Sequence, residues 1–385
     1  MTASAPVLFH QNELALHDWA VEDDQTRWLR PRWKPTSMKA LVDAEKRLFQ
    51  CVKSSLRGRY VPIGSGSDHV WTVSAEARKE TVVKENRRRY PLVLIHGFAG
   101  GTGIWAHNLD SLASRRTVYA FDILGFGRSS RAQLSRDAHL AELEWVQSIE
   151  DWRKEMGIEK MILLGHSFGG YLAISYALEH PARIQHLILA DPWGMPQRPA
   201  DSDARPRIPT WVRAVARIAS VWNPLSSLRA AGPLGPKLVR RVRPDIGRRY
   251  GRNGADFDAI YDYIYHCNAQ TPTGESAFKS MMTGFGWAKR PMADRLPGLR
   301  SDVGVTFLYG DKTWMSPDAA VEFEQQRKDK SDVAIQFIKG AGHHVYADQA
   351  ELFNAAVNAV CHRVDEGGEG EAEKLDDQPT PVTFS

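Results

Sequence analysis

Five residues constrain this chain more than any others: Gly165-His166-Ser167-Phe168-Gly169, directly after the apolar run Met161-Ile162-Leu163-Leu164. An apolar run of that length reads as a buried strand, and here it delivers a serine onto a sharp turn. The two glycines have a steric job. A serine on such a turn takes a strained backbone conformation, and a β-carbon on either side would strike the neighbouring strand or helix. The pattern is that of a nucleophile elbow, which holds a serine hydroxyl exposed at the top of a sheet. Gly-x-Ser-x-Gly arises by chance in roughly one chain in six of this length, so its surroundings decide whether it carries chemistry.

Those surroundings supply the remaining parts in order. Upstream, Pro91-Leu92-Val93-Leu94-Ile95 is a short buried-strand pattern that runs into His96-Gly97-Phe98-Ala99-Gly100-Gly101. A glycine-rich exit lets a backbone N–H face the reaction centre, and the N–H groups of Phe98 and Phe168 are the expected two-donor oxyanion hole. A second buried strand and glycine-punctuated turn follow over 118–130, and a helix is expected over 171–180 with another strand over 186–190. Apolar runs that alternate with helical segments predict an α/β fold, a mostly parallel doubly wound sheet of the α/β-hydrolase type.

The general base belongs after the last strand. Residues 334–338 form that strand pattern, and Gly340-Ala341-Gly342-His343-His344 follows it. His343 is the expected base on template order, with His344 its neighbour and competitor. The acid belongs after the strand over 305–310, where a carboxylate several residues past Gly310 reaches a histidine best. That favours Asp318 over Asp311, and Asp191 at the end of the preceding strand is a third option.

Composition agrees with one large α/β domain. A chain of 385 residues with 43% hydrophobic content can bury a sizeable core. A net charge of +4 without a basic-aromatic motif points away from nucleic acid. Cys51, Cys267 and Cys361 are widely separated, lack metal-ligand spacing and suit a reducing compartment. The reading calls for no cofactor or metal. The chain opens without a secretory signal pattern and holds no apolar run near the roughly 20 residues of a spanning helix, so an intracellular protein that does not span a membrane is expected.

Along the chain, residues 1–58 form a tryptophan-punctuated segment and an amphipathic helix expected over 37–57, a possible membrane or lipid-droplet anchor. The core is expected over 59–194 and 296–364, a cap insertion over 195–295, and a disordered acidic tail over 365–385. Trp19, Trp28 and Trp33 beside Arg30, Arg32 and Lys34 suit a lipid interface or packing on the body. The cap carries Lys237, Arg240, Arg241, Arg243, Arg248, Arg249 and Arg252, which suit either a solvated helix face or contact with phosphate and anionic lipid.

From about residue 28 to 365 the chain resembles the α/β-hydrolase-domain proteins 4 and 5. The resemblance rests on Trp28 and Trp33, the stretch 119–130, Asp191-Pro192-Trp193-Gly194, and the stretches 263–268, 286–292 and 343–349. It implies either a serine hydrolase of N-acylphosphatidylethanolamine and lysophospholipids, or a lipid-droplet co-activator of a triacylglycerol lipase with lysophosphatidic acid acyltransferase activity. Both roles place the protein in the cytoplasm, peripheral on droplets or the endoplasmic reticulum, with a phospholipid or neutral-lipid substrate and, for the second, a lipase or droplet-coat partner. Ser167 favours the hydrolase. His343 to Asp348 matches the His-x-x-x-x-Asp pattern cited for the acyltransferase, and Asp348 is equally suited to support the histidine loop or cap a helix. Where the family carries its triad aspartate after Tyr-Gly, this chain has Ser316, with Asp318 two residues later.

Overall fold

A computed structural model describes residues 7–9, 36–77, 89–198, 224–251, 256–284, 286–328 and 332–366. Trp19, Trp28, Trp33, Arg252 and the acidic tail beyond 366 lie outside the described residues. The chain begins with β1 (Val7–Phe9), α1 (Met38–Phe49), β2 (Leu56–Ile63), β3 (Asp68–Ala75) and β4 (Leu92–Ile95). A short α2 (Leu109–Leu112), β5 (Val118–Phe121), α3 (Ala138–Glu155), β6 (Met161–His166), α4 (Phe168–Glu179) and β7 (Ile184–Ala190) follow. The chain then leaves the sheet for the cap: α5 (Pro224–Ala230), α6 (Gly235–Val242), α7 (Pro244–Tyr250), α8 (Ala259–Asn268), α9 (Thr273–Met281) and the small hairpin β8 (Met282–Thr283) with β9 (Trp287–Ala288). It returns through β10 (Gly304–Gly310), α10 (Asp318–Arg327), β11 (Val333–Ile338), α11 (Val345–Asp348) and α12 (Ala350–Asp365).

Among the described residues the main sheet has the order β1-β2-β3-β5-β4-β6-β7-β10-β11. The run from β5 to β11 is parallel, and β1, β2 and β3 add an antiparallel edge. The fold is therefore the mostly parallel α/β-hydrolase sheet that the sequence predicts. Its central strands β4 and β6 are buried at every position because both faces are covered. On β4, Leu92 and Leu94 join the layer of α1 and α12, whereas Val93 and Ile95 join that of α3 and α4. The order reverses between β4 and β6, and a crevice at the carboxyl ends of those strands is where such sheets bind ligands.

The helix expected over 37–57 stops at Phe49, and strand β2 starts at Leu56. Ser37 caps it by accepting from the Ala40 N–H at 3.2 Å. The helix is not a free surface element: Leu41, Val42, Ala44, Glu45 and Leu48 are buried. Buried Glu45 pairs with Arg128 and accepts from the Trp71 indole at 3.1 Å and the Thr102 hydroxyl at 2.8 Å. The Arg128 guanidinium lies 3.4 Å over the Trp71 ring. The boundary expected at 58/59 thus falls inside β2, and the first helix belongs to the body. At the other end, Asp365 closes α12 and pairs with Arg116 at 2.6 Å, so it belongs to the body rather than to a tail.

The turn over 122–130 is held from inside. Asp122 accepts from the N–H groups of Thr102 and Arg128, each at 2.6 Å. A β-carbon on Gly127 would sit 2.1 Å from the Asp122 carboxylate, at a backbone φ of +50°, so glycine is required there. Burial raises the Asp122 carboxyl to about 6 against the pull of those N–H groups.

Three buried histidines line the sheet as neutral rings. His96 donates from Nδ1 to the Gly97 carbonyl at 2.7 Å and accepts the Ile123 N–H on Nε2 at 3.0 Å. Burial pushes it down to about 4. His186, beside the Thr306 hydroxyl at 2.8 Å, is also pushed to about 4, and burial drives His166 well below the usual range. Each has a lowered folded pKa, so its contribution is fully present above 6.5 and is lost as pH falls from 6.5 toward the folded value. Asp122 and Glu45, whose pKa values burial raises, act in the opposite sense, two carboxyls against three imidazoles. At pH 5.5 each histidine costs about 1.4 kcal/mol relative to neutral pH. Thermal melts should show a lower Tm at pH 5.5 than at pH 7.5; an unchanged or raised Tm would contradict the neutral assignment.

Candidate active site

Ser167 sits between β6 and α4 with φ +53° and ψ −116°, in the strained turn expected of an elbow. Space explains its glycines. A β-carbon on Gly165 would meet the Gly169 carbonyl oxygen at 2.3 Å, and one on Gly169 would meet the Ile95 carbonyl oxygen at 2.4 Å. The helix therefore starts directly against the end of β4. The Ser167 carbonyl accepts from Gly170, Tyr171 and Trp193, at 3.0, 3.1 and 3.0 Å, which locks the turn.

The Ser167 hydroxyl stands 3.1 Å from Nε2 of His343. Nδ1 of the same ring lies 2.5 Å from Oδ2 of Asp191. A carboxylate only accepts, so Nδ1 carries the proton and Nε2 presents its lone pair to the serine. His343 is fixed along its backbone as well: His166 donates from Nε2 to the His343 carbonyl at 2.9 Å. That leaves His166 Nδ1 buried without a hydrogen-bond partner among the described residues. The Trp314 ring lies 5.2 Å from the imidazole. His344 stacks near His166 and Tyr346, and burial together with the neighbouring His343 drives its pKa well below the usual range.

Asp191 stands where Asp318 was expected. It is fully buried, its N–H donates to the Leu308 carbonyl at 2.9 Å, and its Oδ2 also accepts the Thr313 hydroxyl at 2.6 Å. Its φ of +48° lies in the left-handed region, which aspartate tolerates better than most residues. Asp318 instead opens α10 on the surface, with its N–H donating to the Ser316 hydroxyl at 3.2 Å. Asp311 accepts from the Gly340 N–H at 2.8 Å and ties two loops together. The 311–318 loop thus contributes a hydroxyl to the histidine's partner and no carboxylate. The signal available in sequence was Asp191 itself, the last residue before Pro192 after the apolar run Leu187-Ile188-Leu189-Ala190.

The N–H groups of Phe98 and Phe168 have no hydrogen-bond partner among the described residues. Phe168 N–H opens α4, and a β-carbon on Gly97, the residue before Phe98, would come within 3.1 Å of the Ser167 β-carbon. Both donors therefore belong to backbone that flanks the serine. Their side chains meet the cap through Phe278 of α9, whose ring centroid lies 4.5 Å from each of theirs. Trp193 packs on Phe278 at 4.9 Å, completing an apolar cluster beside the hydroxyl. Among the described residues no group of three His, Cys, Asp or Glu side chains is placed to hold a metal ion.

Residues 90–228 match the family model described as the alpha/beta hydrolase fold. Over 333 residues the chain is 51% identical to a (lyso)-N-acylphosphatidylethanolamine lipase of Mus musculus, covering 86% of this chain and 94% of that protein. Over 330 residues it is 46% identical to the 1-acylglycerol-3-phosphate O-acyltransferase ABHD5 of Rattus norvegicus, covering 86% and 91%. A carboxylesterase structure from Bacillus subtilis superposes with a TM-score of 0.56 at 16% identity, over 84% of this chain and 97% of that one, a likeness of fold alone. With half of the aligned residues identical across nearly the whole length of the first relative, the chain belongs to the α/β-hydrolase family that contains these two proteins.

Proposed function

We propose that this chain is a serine lipase that removes acyl chains from phospholipids and lysophospholipids, N-acylphosphatidylethanolamine among them. The observation that carries the proposal is the unbroken chain from the Ser167 hydroxyl through His343 to Asp191. Ser167 Oγ attacks the acyl carbonyl while its proton passes to His343 Nε2. The N–H groups of Phe98 and Phe168 take the charge that develops on the carbonyl oxygen. Collapse breaks the acyl C–O bond, and His343 returns the proton to the departing glycerol oxygen. Water, deprotonated by His343, then attacks acyl-Ser167; the acyl–Oγ bond breaks, His343 returns the proton to Ser167 Oγ, and the fatty acid leaves. A lysophospholipid hydroxyl in place of that water would give acyl transfer through the same intermediate.

The cap offers support for a lipid-bound location. Arg243 and Arg249 of its basic run are engaged with Asp245, and Arg240 with Asp258. Lys237, Arg241 and Arg248 are exposed and form no ion pair among the described residues. Leu234 and Val242 beside them are 56% and 55% exposed. Cations flanking exposed apolar side chains suit an anionic bilayer or droplet surface. No described helix is long and apolar enough to cross a membrane, so peripheral attachment to a droplet or endoplasmic reticulum surface is the proposed mode.

Incubation of wild type and Ser167→Ala with vesicles of N-acylphosphatidylethanolamine or lysophosphatidylcholine should give fatty acid release from wild type only, quantified by mass spectrometry. No release from folded wild type would sink the hydrolase and favour a droplet-bound co-activator of another lipase. Asp191→Asn should lower kcat by about four orders of magnitude, while Asp318→Asn stays within about twofold; the reverse ranking would return the acid to the 311–318 loop. Replacing Lys237, Arg241 and Arg248 by glutamine should weaken co-sedimentation with phosphatidylserine vesicles by roughly a hundredfold, at about 1 kcal/mol per cation. Equal binding by the triple variant would remove the cap from the membrane contact.

A further inference from the structure

Of the His-x-x-x-x-Asp pattern from His343 to Asp348, which is associated with acyl transfer, only His343 takes part in the reaction derived above; Asp348 does not. Its aspartate is engaged at both oxygens. Oδ2 accepts the Gly342 N–H at 2.9 Å, on the residue directly before His343. Oδ1 pairs with Nε of Arg249, on cap helix α7. Arg249 in turn meets Asp245 at 3.0 Å, and Arg243 holds Asp245 through a two-pronged contact at 3.0 and 2.9 Å. Both partners are largely shielded, the Asp348 side chain being 11% exposed and that of Arg249 21%. The next cap residue, Tyr250, anchors the same helix by donating its hydroxyl to the Ile104 carbonyl at 2.8 Å.

We propose that Asp348 is a positioning residue that, with Arg249, clamps the cap to the histidine loop and sets the approach of His343 to Ser167. The inference rests on the serine-hydrolase reading. His343 hangs on two backbone tethers, one on each side: the Gly342 N–H held by Asp348 and the His343 carbonyl held by His166. Loss of the first lets the imidazole drift while Ser167, Asp191 and the substrate-binding surfaces stay in place. A displacement of about 1 Å costs up to a hundredfold in rate. The carboxylate acts through the loop and not on the acyl group, so it influences hydrolysis and acyl transfer alike.

The test uses the full chain, with lysophosphatidylcholine for hydrolysis and lysophosphatidic acid plus an acyl donor phospholipid for transfer. Asp348→Ala should lower kcat ten- to a hundredfold with KM within about twofold. Asp348→Asn, which still accepts from Gly342, should recover to within about threefold of wild type. Arg249→Met should lower kcat several-fold, and adding it to Asp348→Ala should cost little more, because the two act through one contact. The ratio of transfer to hydrolysis should stay constant across the series. If Asp348→Ala fails to fold, Asp348→Asn and Arg249→Met still decide: wild-type kcat in Arg249→Met, or no recovery in Asp348→Asn, overturns the clamp. Selective loss of transfer with hydrolysis intact overturns it in favour of direct participation. An active wild type matched by Asp348→Ala overturns the clamp alone, whereas a wild type without Ser167-dependent release overturns the hydrolase reading and the clamp with it.

Discussion

Contact between the first turn of α4 and the carbonyl ends of β4 is what the rest of the site depends on. Gly169 lies so close to the Ile95 and His96 carbonyl oxygens that no side chain fits between them. That approach sets Ser167 beside the backbone of Gly97 and Phe98 and aims the first free N–H of the helix at the same space. It also forces the strained Ser167 backbone, which is held by three hydrogen bonds to the serine carbonyl. A strained nucleophile persists only where its surroundings over-determine it. Here the sheet on one side and a nearly wholly buried helix on the other do so.

Most of this was legible in the sequence because it is local. The elbow, the glycine-rich exit after β4 and the histidine after β11 are each encoded by a few adjacent residues whose order fits one template. The acid was not legible in the same way. Choosing between Asp191, Asp311 and Asp318 requires knowing which strand end faces the histidine ring, a property of the assembled sheet. Spacing after Gly310 favoured Asp318, yet Thr313 turns inward to Asp191 and Asp311 turns back to Gly340. The basic run of the cap was legible only as a choice between a solvated face and lipid contact, because which of its members are paired depends on acidic partners such as Asp348, nearly a hundred residues away. The helix expected to reach 57 ends at Phe49, and the polar stretch Lys53-Ser54-Ser55 separates it from β2.

The cap is bound to the catalytic layer by two different kinds of contact. Phe278 reaches the rings of Phe98 and Phe168 through dispersion and ring geometry. On its other side, Arg249 reaches the histidine loop through charge. The shielding of Asp348 and Arg249 limits how far salt screens the second. The cap is thus coupled both to the residues beside Ser167, Phe98 and Phe168, and to the loop that carries His343.

Helix α1 joins parts of the chain that are made far apart in time. Its Glu45 pairs with Arg128, and its Arg47 pairs with Asp256 and Asp262, more than two hundred residues later. A chain that emerges from the ribosome N-terminus first must carry this helix, with its apolar stripe uncovered, until most of the cap has been made. Contacts of such long sequence separation slow folding, and a waiting apolar helix is a natural client for a chaperone. The segment that in sequence looks most like a detachable anchor is thus one of the last pieces of the body to find its place.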